Sequence, residues 1–115
     1  DCRKRTISKL RGTKMAQTPE GRVKSSIKSW LNSQGFYHFS PIGGPFATHG
    51  IPDLVVCAHG RFIGIECKAP GKAKNTTANQ DHQLKAIQDS GGLAFVATSL
   101  DDVVASFARC GILKV

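Results

Sequence analysis

The sequence predicts one α/β domain, with a small central mixed β-sheet flanked by α-helices. Three observations support this prediction. Three segments carry apolar residues at helical spacing, short β-branched and aromatic runs lie between them, and Gly, Pro and Asn residues separate the segments. With 115 residues, of which 40% are hydrophobic, the chain can form one compact core and is too short for two ordinary domains.

The first helix is predicted to follow Thr18. Thr18 offers a hydroxyl N-cap, Pro19 suits the first helical position, and Glu20 places a carboxylate near the positive end of the helix dipole. Gly35 stands where a glycine cap would end the helix. The apolar stripe between these ends consists of Val23, Ile27, Trp30 and Leu31.

Strands and a hairpin are predicted in the middle of the chain. Residues 36–40 form a short strand, and residues 41–50 form a glycine-rich loop. Residues 53–58 and 61–68 are β-rich runs joined by His59-Gly60, which predicts a tight hairpin turn.

The second half of the chain alternates helix and strand. Thr77 can cap a helix over residues 78–90, and residues 93–98 form a strand of the buried type. A final helix is predicted over residues 100–110, and residues 112–115 are predicted as a last edge strand. This order favours a mixed sheet with flanking helices, and so small a sheet leaves a face or an edge to which a partner can bind.

The cysteine pattern and the hydropathy of the sequence predict the cellular compartment. The four cysteines are widely spaced, with no CxxC pair and no His at zinc-finger spacing, so neither a disulfide framework nor a structural zinc is predicted. No apolar run approaches the roughly 20 residues that span a bilayer, and no signal peptide is recognisable. We therefore expect a soluble protein of the reducing cytosol, without a membrane partner.

The net charge of +8 is unevenly distributed. Residues 1–14 contain six Lys and Arg against one Asp, which gives +5, and the remaining 101 residues contain ten Lys and Arg against seven Asp and Glu, which gives +3. Met15 is the only methionine, so we take residues 15–115 as the domain and residues 1–14 as a basic leader. The leader is either non-native or a native basic arm that binds nucleic-acid phosphates without sequence specificity.

Three side chains with useful chemistry converge on the predicted hairpin. Because side chains alternate along a strand, Glu66 and Lys68 project to one face, and Ile63 and Ile65 project to the other. Asp53 begins the partner strand, and pairing around the turn brings it close to Glu66 and Lys68. Two carboxylates and one ammonium group are therefore predicted to meet.

This combination suits phosphodiester hydrolysis with a divalent ion. The reaction must neutralise a phosphate that gains charge, orient a water molecule and stabilise the leaving oxygen. Asp53 and Glu66 offer hard oxygen ligands suited to Mg²⁺ or Mn²⁺, and Lys68 can orient or help deprotonate the attacking water or stabilise the transition state. The competing interpretation is an exposed pair of Glu66 and Lys68, with Asp53 an ordinary turn residue.

Glu20 and Gln80 extend the candidate site to two helices. Glu20 precedes Val23 by three residues, so helical geometry points it toward the core, where a shared metal ion would remove the cost of its burial. Helix-dipole capping explains its position as well. Gln80 begins the inward stripe of Leu84 and Ile87, where its amide can hydrogen-bond a metal-bound water or a phosphate. The alternative is that Gln80 is simply solvated.

The order of Glu20, Asp53, Glu66, Lys68 and Gln80 along the chain resembles that of the VRR-NUC (virus-type replication-repair nuclease) branch of the PD-(D/E)XK nuclease superfamily. The resemblance extends from about residue 18 to about residue 112 and implies a restriction-endonuclease-like core. The matching residues are Glu20, then Gly50-Ile51-Pro52-Asp53-Leu54, then Ile65-Glu66-Cys67-Lys68-Ala69-Pro70-Gly71, then Thr77-Ala78-Asn79-Gln80.

The resemblance also implies roles and a substrate. It implies that Mg²⁺ or Mn²⁺ is bound by the carboxylates of Glu20, Asp53 and Glu66 and by the backbone carbonyl of Cys67. It also implies that Lys68 is the catalytic lysine and that the amide of Gln80 supports the site. Family members of this length are implied to be homodimers that cut branched DNA such as four-way Holliday junctions, and symmetric cutting of a two-fold junction needs two active sites.

Basic side chains are candidates for contacts with the DNA backbone, although a solvated charge or a loop residue is the simpler explanation of each. No element that reads bases is recognisable, so affinity would come from phosphates and DNA shape. A nuclease for flaps, linear ends or RNA, and a catalytically silent DNA-binding module of the same fold, remain alternatives. The candidate backbone contacts are Arg22, Lys24, Lys28, Lys72 and Lys74, and the residues expected to border the cleft are Tyr37, His38 and His49.

Overall fold

The computed structural model describes residues 17–45 and 47–113. These residues form an α/β domain in which a four-stranded mixed sheet is flanked by three helices, which confirms the predicted class. The basic leader over residues 1–14 and the start at Met15 lie outside the described residues. In chain order the elements are α1 (Pro19–Gln34), β1 (Tyr37–Phe39), β2 (Leu54–Ala58), β3 (Arg61–Cys67), α2 (Ala78–Asp89), β4 (Leu93–Ala97) and α3 (Leu100–Arg109).

The four strands lie side by side in chain order, β1-β2-β3-β4. β1 with β2 and β2 with β3 are antiparallel, whereas β3 and β4 are parallel because α2 crosses over between them. The predicted hairpin is confirmed, with Leu54 opposite Ile65. Its turn needs positive φ at both central residues, and His59 and Gly60 have φ of 52° and 77°.

The larger core lies between one face of the sheet and the pair α1 and α3. Alternate residues of β3 point into it, as predicted, and the apolar stripe of α1 covers them. Aromatic edge-to-face contacts between Phe107, Trp30 and Phe95 join α3 to α1 and to β4. The fully buried side chains of this core are Ile27, Leu31, Leu54, Val56, Ile63, Ile65, Cys67, Val103 and Phe107.

The second face of the sheet is covered by α2 over β3 and β4 only. Gly64 allows this close approach, because a Cβ there would lie 2.8 Å from Cδ1 of Ile87. Residues 63–67 of β3 are therefore buried on both faces of the sheet. Among the described residues, no helix covers this face of the sheet beyond α2, and we call the surface there the open face. The exposed side chains of its strands and of the adjacent loop are Tyr37, Phe39, Ile42, Ile51 and Phe62.

The glycine-rich loop is anchored at its downstream end. Gly50 has φ of +82°, and a Cβ on it would lie 2.4 Å from the backbone of Asn79 at the first turn of α2. Only glycine allows this contact without strain. Pro52 is buried beside Gly64, so the chain enters Asp53 from a fixed position.

Helix ends are set by the local signals in the sequence. The Thr18 hydroxyl accepts from the Gly21 N–H, and Gly35 ends α1 in the left-handed conformation. The edge strand predicted over residues 112–115 is wrong for Ile112 and Leu113, which form a bend, and residues 114–115 lie outside the described residues. The reason is that the chain reverses at Gly111, so that the Ile112 N–H bonds back to the Phe107 carbonyl at 2.9 Å.

Within the described residues, no helix combines the length and the apolar character needed to cross a membrane.

Candidate active site

The hairpin register brings Asp53 and Glu66 to the same end of the sheet. Leu54 pairs with Ile65, so Asp53 and Glu66 are the next residues on their two strands. The Asp53 Oδ2 accepts a hydrogen bond from the Cys67 N–H at 2.9 Å, which continues the pairing of the two strands through a side chain. The position of Asp53 is therefore fixed by backbone geometry.

Glu66 is a buried carboxylate with a relative exposure of 2%. Its Oε2 accepts from Nε2 of Gln80 at 2.9 Å and lies 3.7 Å from Nζ of Lys68. Its Oε1 is buried and has no hydrogen-bond partner among the described residues. The predicted alternative of an exposed Glu66 and Lys68 pair is thus wrong for Glu66, because α2 covers this end of β3.

The surroundings of Glu66 favour its protonated form when no cation is bound. Burial raises the pKa of Glu66 to about 8, and the charge of the nearby Asp53 carboxylate adds to the rise. The Lys68 ammonium acts in the opposite direction, and the charge of Glu20 acts in the same direction as that of Asp53. Two neighbouring carboxylates, one of them buried, are stabilised by a shared proton or by a cation between them.

Gln80 holds Glu66 from the first turn of α2. Its Oε1 accepts from the Thr77 N–H at 2.9 Å while the Thr77 hydroxyl accepts from the Gln80 N–H at 3.1 Å, which is a complete capping box. Its Nε2 remains to donate to Glu66. Gln80 is therefore half-buried and bonded at both ends of its amide, and the alternative of a solvated residue is wrong.

Lys68 and Cys67 follow Glu66 at the end of β3. The Lys68 N–H donates to the Ala97 carbonyl at 3.0 Å, and the Lys68 side chain retains only 13% exposure. The Cys67 side chain lies in the core, where burial followed by the charge of Asp53 raises the pKa of its thiol to about 12. Because the N–H and C=O of one strand residue point to the same edge, we expect the Cys67 carbonyl to face Asp53 as its N–H does.

Glu20 departs from the prediction that it points toward the core, because it is exposed. Among the described residues, the buried stripe of α1 begins only at Val23, three residues after Glu20. Its charge still contributes to the raised pKa of Glu66. Among the described residues no three His, Cys, Asp or Glu side chains are grouped as a finished metal site.

The residues present nevertheless fit a hard divalent ion. Mg²⁺ and Mn²⁺ prefer carboxylate and carbonyl oxygens and retain several waters, so a pair of carboxylates suffices for the protein ligands. The unsatisfied Oε1 of Glu66 and the adjacent Asp53 carboxylate supply that pair. Glu20 is a third, exposed carboxylate, and its charge acts on Glu66.

The five candidate backbone contacts occupy different environments. Lys24 is half-buried and lines a cleft of about 270 Å³ together with the glycine-rich loop, His49 and Asp53. Arg22 donates to the Gln17 carbonyl at 2.9 Å and is exposed. The remaining three, Lys28, Lys72 and Lys74, are exposed as well.

Of the three residues expected to border the cleft, His49 does so. Nε2 of His38 instead forms a 2.9 Å hydrogen bond with Oδ1 of Asn32 at the end of α1. Tyr37 lies on the open face, 70% exposed. Tyr37 and Phe39 alternate with His38 as in any half-buried strand, so the exposure of Tyr37 could not be predicted from this pattern.

Comparison of the chain with protein-family models, with curated proteins and with solved structures finds no match.

The raised pKa of Glu66 predicts how the stability of the metal-free protein depends on pH. Between its ordinary value of 4.5 and about 8, the folded state retains a proton that the unfolded state has released. The free energy of unfolding, measured by urea denaturation with a chelator present, should therefore fall as the pH rises from about 5 to about 8. Glu66→Gln should flatten this fall, because its amide does not titrate.

Asp89→Asn is the matched control, since Asp89 is an exposed carboxylate on α2. This variant should keep the slope of the wild-type protein. The same slope in Glu66→Gln as in the wild-type protein would contradict the assignment.

Proposed function

We propose that the chain is a divalent-metal-dependent endodeoxyribonuclease with a restriction-endonuclease-like core. The observation that carries the proposal is the buried Glu66 carboxylate beside the half-buried Asp53. Lys68 Nζ lies 3.7 Å from Glu66 Oε2, and the other Glu66 oxygen has no hydrogen-bond partner among the described residues. Buried charges are costly unless they are paired or bind metal, so a pair of this kind is retained where its chemistry is used.

A silent DNA-binding module of the same fold is a weaker explanation of these residues. Carboxylates that face a phosphate repel it, and such a module would gain affinity if Asp53 and Glu66 were neutral. The Gln80 side-chain amide donates a hydrogen bond to Glu66, which is consistent with a role in positioning that carboxylate. These contacts support a catalytic site.

Each residue has a distinct part in the proposed reaction. Asp53, Glu66 and the Cys67 carbonyl would hold Mg²⁺ or Mn²⁺, which when bound supplies positive charge to the phosphate and activation of water. Lys68 is close enough to Glu66 to orient the attacking water or to stabilise the charge that develops on the phosphate. Gln80 fixes the side-chain conformation of Glu66 through α2.

Branched DNA, and a four-way junction in particular, is the substrate that the resemblance to VRR-NUC nucleases favours. Flaps, linear ends and RNA have the same phosphodiester chemistry, so one cleavage experiment must compare them.

The nuclease proposal predicts metal-dependent cleavage that fails in two single variants. Wild-type protein should cut a four-way junction in Mg²⁺ or Mn²⁺ and should be inactive in chelator. Glu66→Ala and Lys68→Ala should each reduce the rate by about 100-fold or more, because each removes a group that acts on the reacting phosphate or water. The measurement is single-turnover cleavage of labelled junction, flap, linear duplex, single strand and RNA at one salt concentration.

Lys85→Ala is the control for loss of a lysine, because Lys85 is 73% exposed in its side chain and pairs only with Asp89. It should cut at the wild-type rate. Equal cutting by Glu66→Ala and the wild-type protein would exclude this site, and salt-sensitive binding without cleavage of any substrate would favour the silent module.

We further infer that the active form is a homodimer that assembles through the open face. Tyr37, Cys57 and Phe62 lie side by side across β1, β2 and β3, and the exposures of Tyr37 and Phe62 are 70% and 51%. Beside them is a hollow of about 390 Å³ whose lining, among the described residues, carries no charged side chain. Uncharged aromatic surfaces are typical of the centres of protein interfaces and offer nothing to a phosphate.

Tyr37→Glu should convert the dimer to a monomer, because burial of an unpaired carboxylate in the interface is costly. Ala105→Glu adds the same charge on the exposed side of α3 and should remain dimeric. Sedimentation velocity measures both states. A wild-type protein that stays monomeric at micromolar concentration would exclude this inference and leave the nuclease proposal intact.

A further inference from the structure

The cleft that Asp53 lines is also lined by a positively charged side chain, Lys24, to which the proposed reaction assigns no part. Lys24 lies one turn after Glu20 on α1, is half-buried, and lines the cleft with the glycine-rich loop. Its charge also reaches the end of β3, because it opposes the effects of burial and of Asp53 on the Cys67 thiol. Lys24 therefore lines the same cleft as Asp53 without being a candidate metal ligand.

Lys24 differs from the other basic residues around the site. No ion pair between Lys24 and a carboxylate is found among the described residues, although Glu20 is four residues away on the same helix. Lys28, one turn farther along α1, is exposed and acts electrostatically on His38 rather than on the end of β3. A half-buried and unpaired ammonium group that lines a cleft is well suited to an anionic ligand.

The shape of the cleft limits what this ligand can be. Its volume of about 270 Å³ is below the range of about 300–1,000 Å³ that whole small-molecule ligands occupy, which favours a single small group. Gly43 and Gly44 contribute to the lining, and among the described residues no atom lies within 4 Å of a Cβ built on either of them. Gly50 and Pro52 anchor the downstream end of the glycine-rich loop to α2 and β3, so the cleft leads to Asp53.

We propose that Lys24 binds the backbone phosphate next to the one that is hydrolysed, on the same strand. This inference rests on the proposed nuclease function and deepens it, because it assigns to the cleft the position of the strand that is cut. The Asp53 carboxylate in the lining would repel a phosphate, so the ammonium group of Lys24 supplies the attraction for the neighbouring phosphate. His49 lines the same cleft and offers a second hydrogen-bond donor.

The test measures DNA binding in an inactive background and cleavage in the active protein. Glu66→Gln protein is titrated with a labelled four-way junction in chelator at several salt concentrations. Adding Lys24→Met should weaken binding about 5- to 10-fold and reduce the slope of log Kd against log salt by about one, as expected for one lost phosphate contact. In the active protein, Lys24→Met should lower kcat/KM. Lys24→Arg should restore most of the DNA affinity and most of kcat/KM.

Lys85→Met is the matched variant, because it removes the same charge from an exposed lysine of α2 that does not line the cleft. It should change the affinity by less than about twofold. Equal losses in Lys24→Met and Lys85→Met, or no rescue by Lys24→Arg in a variant with wild-type thermal stability, would overturn the assignment while the nuclease proposal stands. Absence of both binding and cleavage in the wild-type protein would instead overturn the proposed function itself.

Discussion

The structure depends on one electrostatic constraint, which is the burial of the Glu66 carboxylate next to Asp53. In water both groups would be ionised, but within the sheet the loss of hydration and the mutual repulsion raise the pKa of Glu66 to about 8. The protein accepts this cost at a position where an alanine or a valine would be compatible with the strand. A bound cation is the simplest way in which the cost is offset.

Several elements contribute to holding these two carboxylates together. The hairpin sets their register, and the Cys67 N–H fixes the Asp53 oxygen. The α2 helix both covers Glu66 and donates to it through Gln80, whose other amide atom completes the cap of the same helix. A change at the start of α2 is therefore transmitted to Glu66 by a single side chain.

Much of the fold could be predicted because its signals are local. Caps at Thr18, Thr77 and Ser99 set the helix starts, and His59-Gly60 set the hairpin, so the convergence of Asp53 with Glu66 followed from strand geometry. The exposure of Glu20 could not be predicted, because a periodic stripe does not reveal where the covering layer ends.

The open face and the cleft could be predicted only in outline, since their positions and linings depend on where separate elements pack. The extent of the sheet that α2 covers is decided by the close contact of Ile87 with Gly64, which no spacing in the sequence reveals. The half-burial of Lys24 likewise depends on the path of the glycine-rich loop. Tertiary contacts therefore determine which of several similar lysines and aromatic residues have access to a ligand.

Divalent-ion binding to the chelator-treated protein, measured by isothermal titration calorimetry, tests the central claim most directly. Wild-type protein and the Asp89→Asn variant should bind Mg²⁺ or Mn²⁺ with saturable heat, whereas Glu66→Gln should bind at least about tenfold more weakly, which corresponds to about 1.4 kcal/mol. Saturable binding that is unchanged in Glu66→Gln, or no binding to the wild-type protein, would contradict the account of Asp53 and Glu66 as a metal-binding pair.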